Sequence, residues 1–321
     1  MGAQVLSSRA IIGSFYARLE QNVGAAWIPQ VAMRFNSDQD TENYRWLGMS
    51  PQMREWVAGR NAKGFRDNGI DIRNKHWEAT IEILKRDLRR DKTGQILVRI
   101  NELAERALSH PASLLSTLIV NGESALCYDG QFFFDTDHVE GDSGSQDNDI
   151  SIDISALPTG DTTGSHGSTT APSVGEMALS IQAAIAQIIG FKDDQGEPMN
   201  ENAREFLVMV PSTLMNAAMA ATMVPFLPQG MNNPLVGAAE YRARVVSNVR
   251  LNPSWTAKFA VFRTDGQVKP FIHQVEQEVQ VAAKAEGSEF EFDNDAHQYG
   301  IDKWDNVGYG YWQHGCLVTM T

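Results

Sequence analysis

The sequence predicts an α+β fold, and three observations carry that reading. Residues 70–72 and then 77–83 place apolar side chains at every second position, mostly between charged ones, the period of a half-solvated strand. Residues 96–120 and 177–189 repeat apolar side chains at helical spacing. The rest of the chain is rich in strand signals, at 205–210, 241–249, 258–262, 271–281 and 308–320.

The elements follow in order. Ile11, Ile12, Phe15, Tyr16 and Leu19 make a short amphipathic helix over 8–20, with Ser7 or Ser8 as N-cap. Residues 36–43 are polar and turn-like. Residues 44–47 and 53–57 are strand-like pieces separated by Gly48 and Pro51, and 59–64 is a loop. In 70–83 the apolar positions are Ile70, Ile72, Trp77, Ala79, Ile81 and Ile83. Long strands of this kind have little core of their own and need another surface to lie on. The plainer reading is an edge hairpin on its own domain. Residues 85–92 form a basic cluster, Lys85, Arg86, Arg89 and Arg90 with interleaved Asp. It reads either as a solvated connection or as an ion-pair surface between subunits.

Ile96, Leu97, Ile100, Leu103, Ala104, Ala107 and Leu108 open a helix that His110-Pro111 is expected to interrupt. It resumes through 112–120 and ends at Asn121-Gly122. Residues 127–135 read as an aromatic strand with a turn at Asp129-Gly130. Residues 139–172, rich in Gly, Ser, Thr and Asp, read as a loop with a short strand at 150–154. Ser173 caps the second helix and Gly190 ends it. A strand at 205–210 leads into a helix at 214–221.

Composition narrows the function. A net charge of −13 and a pI near 5.0 exclude a protein whose main task is gripping nucleic acid, which needs a cationic face. They are compatible with one that encloses it, since an acidic wall repels DNA. No window approaches a membrane span, and no secretory signal is expected at the N-terminus. Cys127 and Cys316 are too few for a disulfide framework and read as buried, reduced thiols.

Chemical motifs are weak. Gly141-Asp-Ser-Gly144 matches the nucleophile tetrapeptide of trypsin-like proteases, with His138 five residues upstream of Ser143. The setting is a loop of small residues, and a hydrolase is a minor alternative. Asp135, Asp137, Glu140, Asp142, Asp147 and Asp149 could gather a hard cation, but the spacing misses the EF-hand and a solvated acidic loop is favoured. No HExxH, GxxxxGK[ST] or GxGxxG occurs. No catalytic residue, cofactor or metal is assigned. The tryptophans at 27, 46, 56, 77, 255, 304 and 312 read as core or subunit-contact anchors.

The chain resembles the major head subunit of Mu-like phages, the gpT family, nearly end to end. The likeness is strongest at 9–15, at 77–80 with 89–95, at 128–138 and in the closing Gly308-Tyr-Gly-Tyr-Trp312. The resemblance implies an HK97-like capsid fold and no enzymatic activity. It implies an N-terminal arm over 1–43, an extended hairpin (E-loop) over 44–92 and a peripheral domain with a long spine helix over 93–172. An axial domain over 173–265 and return strands to the peripheral domain over 266–321 would complete it. Pentamers and hexamers would close an icosahedral shell around double-stranded DNA, without sequence-specific contact and without a membrane. A scaffold protein, a maturation protease and a portal would be partners, and the shell would form in the bacterial host cytoplasm. Some members of the wider fold cross-link lysine to a neighbour's asparagine. Lys63 is the lysine placed for that, with no identifiable asparagine or activating Glu. The candidate inter-subunit contacts are Trp46, Trp56, Lys63, Trp77, Lys85, Arg86, Arg89 and Arg90. An encapsulin-like cellular shell of the same fold is the second reading.

Overall fold

The computed structural model describes residues 7–21, 24–45, 69–91, 94–159, 165–227, 231–233, 235–236 and 240–321. The chain opens with α1 (Ser8–Gln21), capped by Ser7, whose Oγ accepts from Ala10 N–H at 3.3 Å. There follow α2 (Ile28–Val31), β1 (Ala32–Asn36), β2 (Thr41–Tyr44), β3 (Ile70–Arg73), β4 (Lys75–Leu84), α3 (Lys85–Arg90) and α4 (Gln95–Val120). Short strands β5 (His138–Val139) and β6 (Ser145–Gln146) precede β7 (Asp149–Ile152), α5 (Val174–Gly190), β8 (Glu205–Val210) and α6 (Met215–Met223). The chain closes with β9 (Phe226–Leu227), β10 (Met231–Asn232), β11 (Arg242–Ser247), β12 (Lys258–Arg263), β13 (Phe271–Lys284), α7 (Glu289–Asn294), β14 (Ala296–Tyr309) and β15 (Gly315–Met320).

Two sheets carry the architecture. In the first, of order β1-β13-β14-β4, β1 runs parallel to β13 and the other pairs are antiparallel. In the second, of order β11-β8-β12-β15-β7, β8 lies parallel to β11 and antiparallel to β12. The run Phe206 to Val210 is buried throughout, as a strand covered on both faces requires. Helix α5 packs on that sheet and starts with a capping box, Ser173 and Glu176. The strands after residue 266 divide between the sheets: β13 and β14 join the first, and β15 the second.

Helix α4 joins two cores. Ile96, Ile100, Leu103, Ala104 and Ala107 pack with Ile11 and Phe15 of α1, Leu88, Tyr299 and Ile301. Ala112, Leu115 and Ile119 enter the larger core. The expected interruption at Pro111 does not occur, and one helix runs through it. Proline here removes one backbone bond and crowds the carbonyl of Ala107, at about 3 kcal/mol. Burial of both flanking halves outweighs that.

The expected strand over 127–135 is replaced by a tight turn. Cys127 N–H donates to Gln131 O at 2.7 Å, and Gly130 takes a φ of 89°, which glycine adopts without strain. Phe133 and Phe134 are driven into the core instead of extending along a sheet, Phe133 stacking on Tyr309 at 4.8 Å. Strands β1 and β14 were not expected from the sequence apart from the last two residues of β14, and the strand expected over 308–313 ends at Tyr309.

Candidate functional site

The root of the proposed hairpin is built by β2 and β3, paired antiparallel from Thr41↔Arg73 to Tyr44↔Ile70. The two ends of the segment between them therefore stand side by side. Tyr44 is buried, its hydroxyl donates to Gln274 Oε1 at 2.9 Å, and burial followed by the nearby Glu42 raises it to about 12. Gln274 in turn donates to Ile72 O and Asn74 Oδ1, so the root is tied to β13. Trp46, Trp56 and Lys63 lie outside the described residues.

Trp77 is half-buried on β4 and serves its own chain. Its Nε1 donates to Asp305 O at 3.0 Å, its ring meets His110 edge-on at 4.6 Å, and it lines an apolar cavity of 170 Å³ under α4. Beside it Lys303 donates to Asp305 Oδ2 at 2.6 Å and His273 lies 3.1 Å from the same oxygen. Burial would raise the Asp305 carboxyl, but His273 and Lys303 outweigh it and hold the carboxyl low.

The basic cluster sits on α3. Lys85 pairs with Glu291 of α7, and Arg86 lies 3.6 Å from Asp87. The Lys85 ammonium, Gly287 N–H and His297 hold the Glu291 carboxyl down to about 2. Arg89 and Arg90 are exposed and make no ion pair among the described residues. The sequence thus located the cations but not which of them stay free.

The residues around Ser143 do not form a nucleophile. The Ser143 hydroxyl accepts from Glu140 N–H at 3.0 Å and donates to Gly144 O at 2.9 Å. His138 is fully buried, stacked on Trp312 at 3.9 Å, with Nδ1 2.6 Å from Asp129 Oδ2. Its Nε2 faces Asn148 Oδ1 at 3.2 Å. The Asn148 amide donates to Phe133 O, Trp312 O and Gly315 O, which fixes its oxygen toward the ring. His138 Nε2 is therefore a committed donor, not a base.

The acidic loop is mostly structural. Asp135 accepts from Phe132 N–H and Thr136 N–H, Asp137 from Gln131 Nε2, and Asp147 from Asp149 N–H. Among the described residues no group of three His, Cys, Asp or Glu side chains is arranged to hold a metal. Cys127 and Cys316 are buried thiols, pushed up by that burial.

Two exposed apolar features carried no functional signal in the sequence. Met215, Met219 and Met223 recur at i, i+4 and i+8 along α6, followed by Phe226 at 62% exposure. Phe292, on α7 at the tip of the β13–β14 hairpin, is 91% exposed. Isolated exposed apolar residues are ordinary, but clustered ones mark contacts.

The family model described as the Mu-like prophage major head subunit gpT matches residues 10–157 and 236–319. The chain belongs to this family. Two curated relatives align over a shorter stretch. The Mu-like prophage FluMu major head subunit of Haemophilus influenzae strain Rd is 34% identical over 112 residues, 35% of this chain and 36% of that protein. The major capsid protein of Escherichia phage Mu is 35% identical over 109 residues, 34% of this chain and 36% of that protein. The aligned stretches thus span about a third of each relative's length. A chain of the bacteriophage JBD30 procapsid superposes with a TM-score of 0.54 at 21% identity, covering 97% of this chain and 74% of its own. At that identity the likeness shows the fold, which is the HK97-like capsid fold. The gpT family is structural rather than enzymatic, in line with the committed Ser143 and His138. No helix among the described residues is long and apolar enough to cross a membrane.

Proposed function

We propose that this gpT-family chain is the major capsid protein of a tailed, Mu-like phage or prophage. Its copies assemble as pentamers and hexamers of an icosahedral shell around double-stranded DNA. The observation that carries this reading is the family match at both ends of the chain. The two matched segments are far apart in sequence yet both contribute strands to both sheets, while α5, β8 and α6 lie between them, outside the match.

In this reading residues 1–43 are the arm, 44–92 the hairpin laid on a neighbour, and 93–172 the peripheral domain with α4 as spine. Residues 173–265 are the axial domain, and 266–321 supply the closing strands. Scaffold, maturation protease and portal of the same phage are the partners. The DNA is held by enclosure, because a net charge of −13 gives it no cationic cradle. The chain then works in the virion, after assembly in the bacterial cytoplasm. An encapsulin-like shell shares the fold, but the gpT match favours the phage.

Light-scattering mass and negative-stain microscopy on the purified chain, alone and co-expressed with its candidate scaffold, test the reading. Closed shells, or capsomers that convert to shells, are expected. A strict monomer under both conditions overturns it.

A further inference from the structure

Packing between α4 and the first sheet is incomplete at one place. There α4 turns only an alanine, Ala107, toward the strands, and a cavity of 170 Å³ results. Its apolar walls are Trp77 and Ala79 of β4, Val279 of β13 and Ile301 of β14. An apolar cavity of about 150 Å³ admits one benzene-sized ring. The space under α4 therefore takes a single ring, between aromatic and branched aliphatic surfaces.

The walls are set before anything binds, which lowers the cost of binding. Trp77 Nε1 donates to Asp305 O at 3.0 Å, and the Trp77 ring meets His110 edge-on at 4.6 Å. The charged side chains lining the cavity balance, Glu78 and Asp302 against Arg106 and Lys303. Three of the four are engaged locally. Glu78 accepts from Thr80 Oγ1 at 3.0 Å, Asp302 accepts from Gln277 Nε2 at 3.0 Å, and Lys303 donates to Asp305 Oδ2 at 2.6 Å. The lining thus selects neither an anion nor a cation.

His110 completes the wall, one position before Pro111. Its Nδ1 is buried without a hydrogen-bond partner, which leaves Nε2 as the ring nitrogen a ligand can reach. Burial, and after it the Lys303 ammonium, lowers the proton affinity of this ring, so it is neutral at pH 7. A neutral imidazole nitrogen is a donor or an acceptor according to the tautomer, and a hydroxyl can pair with either.

We propose that this cavity is a binding site for a small uncharged phenol, with its ring against Trp77, Ala107, Val279 and Ile301 and its hydroxyl on His110 Nε2. The occupant bridges α4 to three strands of the first sheet, so it stabilises the folded chain by mass action. The site lies within one copy and holds whether or not copies assemble.

Calorimetric titration of the purified chain with phenol, and with toluene as a ring of similar size without the hydroxyl, tests it. Phenol should bind with a Kd of about 0.1–1 mM, the range open to so small a ligand. It should bind about fivefold more tightly than toluene, the scale of one neutral hydrogen bond. His110→Leu should remove that preference. At ten times its Kd phenol should raise Tm by about 2 °C. Ala107→Leu fills the cavity from the helix and should abolish binding of both rings. Val279→Met, at a half-buried position, fills it from the sheet and gives the same test if Ala107→Leu does not fold; far-ultraviolet circular dichroism decides which chains are folded. The site is overturned if phenol shows no binding at about 5 mM, well above the expected Kd. It is also overturned if toluene binds wild type as tightly as phenol, or if phenol binding survives in the folded filled chains.

Discussion

Replacing Asn148 by alanine removes the side chain that ties the 133–138 turn to the start of β15. Asn148 is fully buried. Its amide donates to Phe133 O at 2.9 Å, Trp312 O at 3.4 Å and Gly315 O at 3.3 Å. Its oxygen accepts from Asp135 N–H at 2.8 Å and His138 Nε2 at 3.2 Å. Alanine strands at least those two donors, each at about 1–3 kcal/mol. The expected loss is about 4 kcal/mol, a large share of a typical domain's stability. For a chain of this size that lowers Tm by roughly 10 °C. Thermal unfolding followed by circular dichroism and tryptophan fluorescence measures it, with Trp312 stacked on His138 as a local reporter. Asn148→Asp keeps the shape and the accepting oxygen but turns a second oxygen toward three carbonyls. It should lose a comparable amount. An Asn148→Asp chain melting within about 2 °C of wild type would refute the claim that the donated bonds hold this junction.

Glu291 sits near 2 in the folded chain against an ordinary 4.5, so its contribution to stability is present above about pH 4.5 and lost as pH falls toward 2. Glu291→Gln should flatten the acid limb of a stability–pH curve in that window, and an unchanged limb would count against the Lys85 pairing. Pro111→Ala restores a donor to the Ala107 carbonyl in α4 and should raise stability by about 2 kcal/mol, read as a higher urea midpoint at constant slope; a lower midpoint would show that the ring is a packing element. A Cβ at Gly310 would stand 2.7 Å from Lys269 O, a backbone atom with little room to shift. Gly310→Ala should therefore cost about 1–3 kcal/mol, while Gly190→Ala, with open space around it, should not destabilise the chain in the same melts.

Legibility followed how far each element's pattern was local. Helix α4 shows its stripe within its own 26 residues, and the Ser173–Glu176 capping box lies within four. Strand β8 is an unbroken apolar run and reads as buried. Strand β14 fails the same test because its inward positions include Lys303 and Asp305, polar side chains at 8% and 2% exposure that pair with each other, and Asp305 with His273, through one carboxylate oxygen. Alternation of polarity cannot reveal a strand whose buried face is partly ionic. Strand β1 is five residues long and pairs with β13 more than two hundred positions later, a partner no local window contains. The 127–135 block reads as a strand by composition. Its aromatic rings are instead carried inward by a turn whose backbone groups are satisfied by Asp135 and Asn148.

The candidate contacts divide along the same line. Clustered cations on α3 are visible in sequence, but the partner that consumes Lys85 comes from α7, about two hundred positions on, which leads into the neighbouring strand β14. Arg89 and Arg90 stay exposed and make no ion pair among the described residues. Phe292 carries no signal in the sequence because the Glu-Phe-Glu-Phe run alternates like a strand, and only the helical turn sets Phe292 over Glu289.

Copies of a chain carrying −13 repel one another at long range, so assembly needs places where the sign reverses locally. Helix α3 is such a place, with four cations against one anion over six residues. It stands beside the acid-rich 286–295 segment, so one end of each copy carries both signs. Two identical ends that meet about a two-fold axis can set acid against base at both contacts, and a rotation about a higher axis can do so at every contact around a ring. The charge layout thus suits a reciprocal pair as well as a ring, and a closed icosahedral shell, with two-fold as well as three- and five-fold axes, has places for both.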